Sequence, residues 1–583
     1  MDFIKNVLAV LVGLFCFAIV VFFGTFMLFG VLAASSEKQV VVKDNSVLRL
    51  NLKGEIHEQV PDDPFGAMFD DGPLALSTLN AIKAIEEAKS DDKIKGLYIR
   101  SGFFAGGYAS LRELREAILS FKESGKFVYA YGEFYTEKGY YLASVADKIF
   151  LNPAGSIEFN GISANVTFLK GAFEKLGVEP QIFRVGEFKS AIEPLIREDL
   201  SPENRLQLQE WLSTLNEHLV KEIAEGRGIE KERLMEISNS MLVTNADKAK
   251  EYGLATDLLY SDGVKDEFYS ILELEEDDDV NFVTVQDYYK NWYQSADLPR
   301  DRIAVLVAEG DIISGKGNNY QVGSDKFIAA LQKIRENKRV KAMVVRINSP
   351  GGGLVASDVI WNEIMLTKEK MPVIASMSDY ATSGGYYLAM PCDTIVSHPT
   401  TLTGSIGIFA TLFNFGPLLN DKMGITHDVV KTGEYSDIFT VTRSLSDQER
   451  AIIQREVELN YDSFIEKAAQ GRNTDPENIL NVASGRIWPG STALNNGLVD
   501  VLGGFNDALE LAASAAEIDE YRVVYYPAQK TFIEELVEDF GAQAKVKLFG
   551  GEFAFFKPYE EIFEQIEKYR GVQARLPYEL RID

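Results

Sequence analysis

The apolar positions of this chain fall into short continuous runs separated by stretches of helical period. Ile94-Lys95-Gly96-Leu97-Tyr98-Ile99-Arg100 and Val340-Lys341-Ala342-Met343-Val344-Val345-Arg346 have strand length and β-branched or aromatic content. Segments 79–88 and 327–336, which precede them, read as helices. Another apolar run, Pro372 to Met377, predicts a short buried strand. Short strands alternating with helices predict an α/β architecture.

The pattern is written twice. The strands beginning at Ile94 and Val340 lie 246 positions apart, and so do Gly139-Tyr140-Tyr141-Leu142-Ala143 and Gly385-Tyr386-Tyr387-Leu388-Ala389. Ser46–Ile56 pairs in pattern with Arg302–Ile312, each a strand followed by Gly, an acid and Ile. Val185-Gly186-Glu187-Phe188-Lys189-Ser190 meets Thr432-Gly433-Glu434-Tyr435-Ser436, and Gly253-Leu254-Ala255-Thr256-Asp257 meets Gly497-Leu498-Val499-Asp500. Matches in one order imply two copies of one α/β domain, at 45–290 and 300–515. The acidic run Glu275 to Asp279 marks a solvated linker between them. The repeat signal fades near Asn506, and residues 516–583 read as a helical tail.

Before the first copy, positions 7–34 hold no charged residue. As a helix rising about 1.5 Å per residue they would reach about 42 Å, enough to cross a bilayer core with some tilt. The apolar region of a signal peptide is shorter, about 7–15 residues, so residues 1–36 read as a single uncleaved transmembrane helix. Charge leaves its orientation open, with Lys5 on one side and Lys38 and Lys43 on the other.

Composition narrows the function. A net charge of −28 argues against a nucleic-acid partner, because phosphate requires a basic surface. The two cysteines, Cys16 and Cys392, and four singly scattered histidines offer no disulfide framework and no metal-ligand spacing. No metal or cofactor is therefore expected.

The chemistry concentrates where the two copies differ. Ser383 follows a predicted strand and precedes Gly384-Gly385 and a predicted helix, a turn suited to a nucleophile with free N–H groups beside it. A helix-capping serine is the bland alternative. The first copy has Glu137 at that position, while the second has Ser436 at the position of Lys189. Each copy keeps what the other lacks. A serine hydroxyl needs a base, and no histidine stands in a triad context. Lysine can serve if burial lowers its pKa from about 10.4 to about 7–8, so Lys189 is expected to be buried without a carboxylate partner. Ser405, in Thr403-Gly404-Ser405-Ile406-Gly407, supplies a hydroxyl to orient it. The glycines of Asn348-Ser349-Pro350-Gly351-Gly352-Gly353 let backbone N–H groups approach a carbonyl, and no Gly-Lys-Ser/Thr follows to make a phosphate loop. Gly352 and Gly384 are the oxyanion candidates.

Asn348 to Gly352, Ser383-Gly384-Gly385-Tyr386, Leu402 to Gly407 and Gly186-Glu187-Phe188-Lys189-Ser190-Ala191 together resemble the long, duplicated form of the bacterial signal peptide peptidase A family. The resemblance covers residues 45–505 or so. It implies two tandem Clp-protease/crotonase-like (ββα superhelix) domains behind a membrane anchor, and a Ser/Lys dyad with Ser383 as nucleophile, Lys189 as base and Ser405 orienting it. It also implies a homo-oligomeric, tetramer-like ring or bowl, a catalytic body on the periplasmic side of the bacterial inner membrane, and leftover signal peptides as substrates. The first copy departs at Arg100-Ser101-Gly102-Phe103-Phe104-Ala105-Gly106-Gly107, so it lacks a complete site. The rival readings are a crotonase-like acyl-CoA enzyme and a non-catalytic membrane scaffold.

Overall fold

The computed structural model describes residues 41–61, 75–275, 278–296, 298–530 and 571–575, with positions 6, 13–14, 17, 21, 534 and 581–582. The expected transmembrane segment lies almost wholly outside the described residues, among which no helix is long and apolar enough to cross a membrane.

Each copy is built on four adjacent parallel strands. In the first they are Ser46–His57, Ile94–Ala105, Phe127–Tyr135 and Lys148–Ile157. In the second they are Arg302–Glu309, Val340–Ser349, Val373–Thr382 and Thr394–Ser397. Helices Thr78–Ser90 and Tyr108–Lys122 make the first crossovers, Ser324–Glu336 and Leu354–Lys368 the second. Central strands are buried along most of their length because helices cover the sheet, so they read as continuous apolar runs.

The duplication runs further than the sequence signal. Phe282–Thr284 adds in parallel outside Ser46–His57, and Arg522–Tyr526 does the same beside Arg302–Glu309. Within residues 516–583, read as a helical tail, Arg522–Tyr526, Gly571–Arg575 and Arg581–Ile582 are strands, and most of 531–570 lies outside the described residues. Local pattern could not reveal them, since each is short and completed by a distant partner.

The copies interlock. A further sheet runs Gln321–Gly323, Asp311–Ile313, Gly351–Gly353, Gly571–Arg575, Phe409–Asn414 and Glu179–Arg184. Its last pair is antiparallel and joins the first copy to the second over six residues, Arg184 opposite Phe409 through Glu179 opposite Asn414. Phe173, Val178, Ala191, Ile192 and Leu195 pack there against Phe409 and Phe413.

Elsewhere the seam is ionic. The fully buried Arg346 guanidinium donates to Glu58 (2.9 Å) and Glu113 (2.8 Å), and to the Ser376 and Ser378 hydroxyls (3.0 Å each). His398 meets Glu113 at 2.8 Å. Burial alone would raise the Glu113 pKa, but Arg346 and His398 hold it down at about 2. Asp379 accepts from the N–H groups of Ala109 (2.8 Å) and Ser110 (3.2 Å), capping a first-copy helix from the second copy. Buried charges persist only when paired in this way.

Candidate active site

Ser383 sits between strand Val373–Thr382 and helix Gly384–Ala389 with φ 54° and ψ −110°. A non-glycine residue in such a conformation costs about 1–3 kcal/mol and needs fixing from outside. The fixing comes from its N–H donating to the Gly404 carbonyl at 2.7 Å and its own carbonyl accepting from Tyr387 N–H at 2.9 Å. The side chain makes no capping hydrogen bond, which removes the bland reading of this serine. The hydroxyl is left for Lys189.

Lys189 arrives five residues after the inter-copy strand Glu179–Arg184. Phe188 N–H donates to the Ser484 carbonyl (3.1 Å) and Val185 N–H to the Ile408 carbonyl (3.0 Å), so the approach is clamped on the second copy. The side chain then runs through a slot walled by glycines. A Cβ on Gly485 would stand 2.6 Å from the Lys189 Cβ, and one on Gly407 would stand 3.3 Å from its Cδ. Gly485 also holds φ +75°, so no other residue suits that wall. Nothing local in the sequence marks Gly485, which acts on a residue almost three hundred positions away.

Lys189 Nζ lies 2.8 Å from Ser383 Oγ, 3.1 Å from the Ser405 carbonyl oxygen and 3.1 Å from Ser405 Oγ. Both side chains are fully buried. Burial pushes the Lys189 pKa well below the ordinary lysine value. The arrangement fits a neutral amine: two N–H bonds donate to the carbonyl and hydroxyl of Ser405, and the lone pair faces the Ser383 hydroxyl. Ser405 is held for this by its own φ of 52° and by its N–H donating to the Arg486 carbonyl at 2.7 Å. Its hydroxyl donates a hydrogen bond to the Gly485 carbonyl at 3.3 Å, leaving the oxygen to accept.

The glycine loop lies on the other side of Ser383. Gly351 has φ +101°, and a Cβ there would come within 2.8 Å of Gly384 N. A Cβ on Gly384 would strike Ser357 Oγ at 2.7 Å. Both positions are closed to larger residues, so the backbones of the loop and of the serine turn approach closely, as oxyanion donors must. Gly352 lies in the short strand Gly351–Gly353, paired with Ile312 and Ala574. Strand Gly571–Arg575 occupies the gap between this strand and Phe409–Asn414, antiparallel to both. Sequence reasoning missed Gly485 and this strand. Ser436, the counterpart of Lys189, stays on an exposed loop, its hydroxyl donating to the Gly433 carbonyl at 2.7 Å.

Comparison with known proteins agrees with the duplicated architecture. Peptidase family S49 matches twice, over residues 120–274 and 365–519. "Serine protease SPPA, chloroplastic" of Arabidopsis thaliana is 32% identical over 92% of this chain and 78% of its own length. "Protease 4" of Haemophilus influenzae is 34% identical over 85% of this chain and 83% of its own. "Protease 4" of Salmonella typhi is 34% identical over 81% and 77%. The chain belongs to peptidase family S49 and is a serine protease.

Proposed function

We propose that Ser383 is the nucleophile of this protease and neutral Lys189 its general base, acting through an acyl-enzyme. The observation that carries the reading is the 2.8 Å approach of Nζ to Oγ in a fully buried pocket where burial disfavours the charged amine. As Oγ attacks the peptide carbonyl carbon, the Ser383 proton passes to Lys189. The N–H groups of Gly352 and Gly384 receive the oxyanion. Collapse expels the amine, which takes the proton from Lys189. Water then attacks the acyl group, losing its proton to Lys189, and Ser383 is regenerated. Ser405 keeps the lone pair aimed by accepting both amine protons. The acyl-CoA reading has no use for a lysine kept neutral beside a serine.

The substrates proposed are remnants of signal peptides, cut in their apolar stretches, with residues 7–34 holding the body on the periplasmic face of a bacterial inner membrane. A homo-oligomeric ring or bowl is supported by an unused counterpart. Residues 426–431 correspond, at the 247-residue displacement that pairs Gly186 with Gly433, to Glu179–Arg184, the strand that docks on Phe409–Asn414. In this chain Val430 is 98% exposed, while Ala164–Asn165, the counterpart of the docking edge, pairs only with Arg581–Ile582 among the described residues. Head-to-tail docking of one chain on the next would use both, and such contacts close into rings.

Ser383→Ala and Lys189→Ala should each abolish hydrolysis of a quenched-fluorescent apolar peptide while leaving circular dichroism and sedimentation unchanged. A Lys189→Ala protein with full activity would overturn the assignment.

A further inference from the structure

Lys189 is presented on a three-residue turn. Ser190 N–H donates to the Phe188 carbonyl at 2.8 Å, and Lys189 between them has φ −74° and ψ 79°. That is an inverse γ-turn, closed by one hydrogen bond and followed at once by the 3₁₀ turn Ser190–Ile192. The direction of the amine therefore depends on what grips the two ends of the turn.

One side chain grips both. Gln207, on helix Pro202–Arg227, has its amide nitrogen 2.9 Å from Ser190 Oγ and 3.3 Å from the Phe188 carbonyl oxygen. The same nitrogen meets Asn204 Oδ1 at 3.1 Å, so two N–H bonds serve three acceptors. Its amide oxygen accepts from Ile487 N–H at 3.2 Å. Gln207 is 1% exposed and Ser190 fully buried, so no bulk water competes for these bonds. Ile487 belongs to the second copy and directly follows Ser484, Gly485 and Arg486, whose backbones wall the lysine slot and hold Ser405. One helical turn on, Glu210 accepts from Arg486 at 2.7 Å, and that guanidinium lies 4.9 Å from the Phe188 ring centre. The corresponding second-copy helix begins after Ser446 as this one begins after Ser201, and six positions past that cap it has the exposed Ile452. The copy without the lysine has no amide there.

We propose that Gln207 is a positioning residue for the general base, fixing Lys189 relative to Ser383 by clasping its turn onto the second copy. It touches no reacting atom and acts through the turn alone. A neutral amide suits the place, because a charge there would face an amine that must stay neutral. The charged groups around the turn have partners of their own: Arg184 the Lys189 carbonyl at 3.5 Å, Glu193 the Asn204 amide at 2.8 Å, and Glu210 Arg486. This inference rests on the reading of Lys189 as the base, and the experiment separates the two.

Gln207→Met keeps the length of the side chain and removes its donor and acceptor. Peptide hydrolysis by the full chain is measured across pH, with circular dichroism to follow the fold. On the alkaline plateau kcat should fall about 10- to 100-fold with KM little changed, the cost of misplacing a reacting group by about an ångström. A released amine regains water, so the pH at which activity rises should move upward. Ser190→Ala removes one acceptor of the clasp and should cost about fivefold in kcat with a shift in the same direction. Added to Gln207→Met it should cost nothing further, since the bond it deletes is already gone. A folded Gln207→Met protein with parental kcat, or one whose kcat falls while the pH limb stays in place, would overturn the inference. So would a Ser190→Ala protein with parental kcat and pH limb, which decides the matter where Gln207→Met does not fold. In those outcomes an inactive Lys189→Ala protein leaves the base reading standing, whereas a fully active one removes the base and this inference with it.

Discussion

The two copies turn the same corner in different ways. At the end of Phe127–Tyr135, Thr136 caps the next helix in an ordinary extended conformation, its hydroxyl accepting from Gly139 N–H at 3.1 Å. At the end of Val373–Thr382 the corresponding hydroxyl, that of Thr382, turns to the Pro350 carbonyl instead, and Ser383 takes a positive φ. The frame around both turns is unchanged. Tyr140 donates to the Leu254 carbonyl at 3.0 Å and Tyr386 to the Leu498 carbonyl at 3.1 Å. Gly139 and Gly385 each press on the neighbouring strand so closely that a Cβ would fall 2.7 Å from Ser101 Oγ or 2.6 Å from the Ser349 carbonyl. The fold thus neither requires nor causes the strained serine. At this turn the positive φ belongs to the copy that carries the serine, and the other copy contributes Lys189 beside it.

A relaxed copy still carries a trace of the pocket. Glu137, at the position of Ser383, has its pKa pushed up to about 7 by burial and by Glu158. Among the described residues it has no amine partner, and the second copy's Ser436 remains on its loop.

The asymmetry can be broken most severely at its two halves. Lys189→Met should lower peptide hydrolysis by about 10²–10⁴-fold, the range a positioned general base supplies, whereas Ser436→Lys in the same background should restore nothing. Next in size is a stability gain in that same Lys189→Met protein. The folded pKa of Lys189 lies below its unfolded value, so between the two values the unfolded chain binds a proton that the native chain does not. Native stability therefore falls by about 1.4 kcal/mol for each unit the pH drops through that window. Chemical denaturation at pH values stepped downward from the ordinary lysine range should show this slope in the parent and lose it in Lys189→Met. By the same sign, activity should rise as pH rises through the lowered lysine pKa and then level off.

A smaller effect sharpens the role of the orienting residue. Ser405→Ala removes one of two acceptors for the amine and leaves the backbone carbonyl, so a loss of about tenfold in kcat is expected, the worth of one hydrogen bond. Ser405→Thr should recover most of it. The smallest change in activity, none measurable, is expected from Glu137→Gln. Its readout is stability: a carboxyl raised to about 7 is favoured protonated, so the native state loses stability as pH rises from the ordinary glutamate range through about 7. Removing the charge should flatten that decline. A loss of peptidase activity in Glu137→Gln would break the claim that the first copy has no site of its own.

Much of this was carried by the chain itself. Alternating apolar runs and amphipathic segments fixed the strands and crossover helices of both copies, because burial on a sheet or a helix face is a local requirement that each segment meets with its own residues. The 246-residue displacement showed the duplication, and the unequal positions Glu137/Ser383 and Lys189/Ser436 pointed to the pair proposed as the dyad. What no local pattern could state is which edges meet. Only the folded chain puts Glu179–Arg184 on Phe409–Asn414 and so brings Lys189 to Ser383 within one molecule. Only there do Arg346, Glu58, Glu113 and His398 find one another, and only there does Gly571–Arg575 pair with Gly351–Gly353. Short strand edges carry unpaired N–H and C=O groups that accept many partners. The choice among them is made by the packing of whole copies against each other, long after the sequence around each edge has had its say.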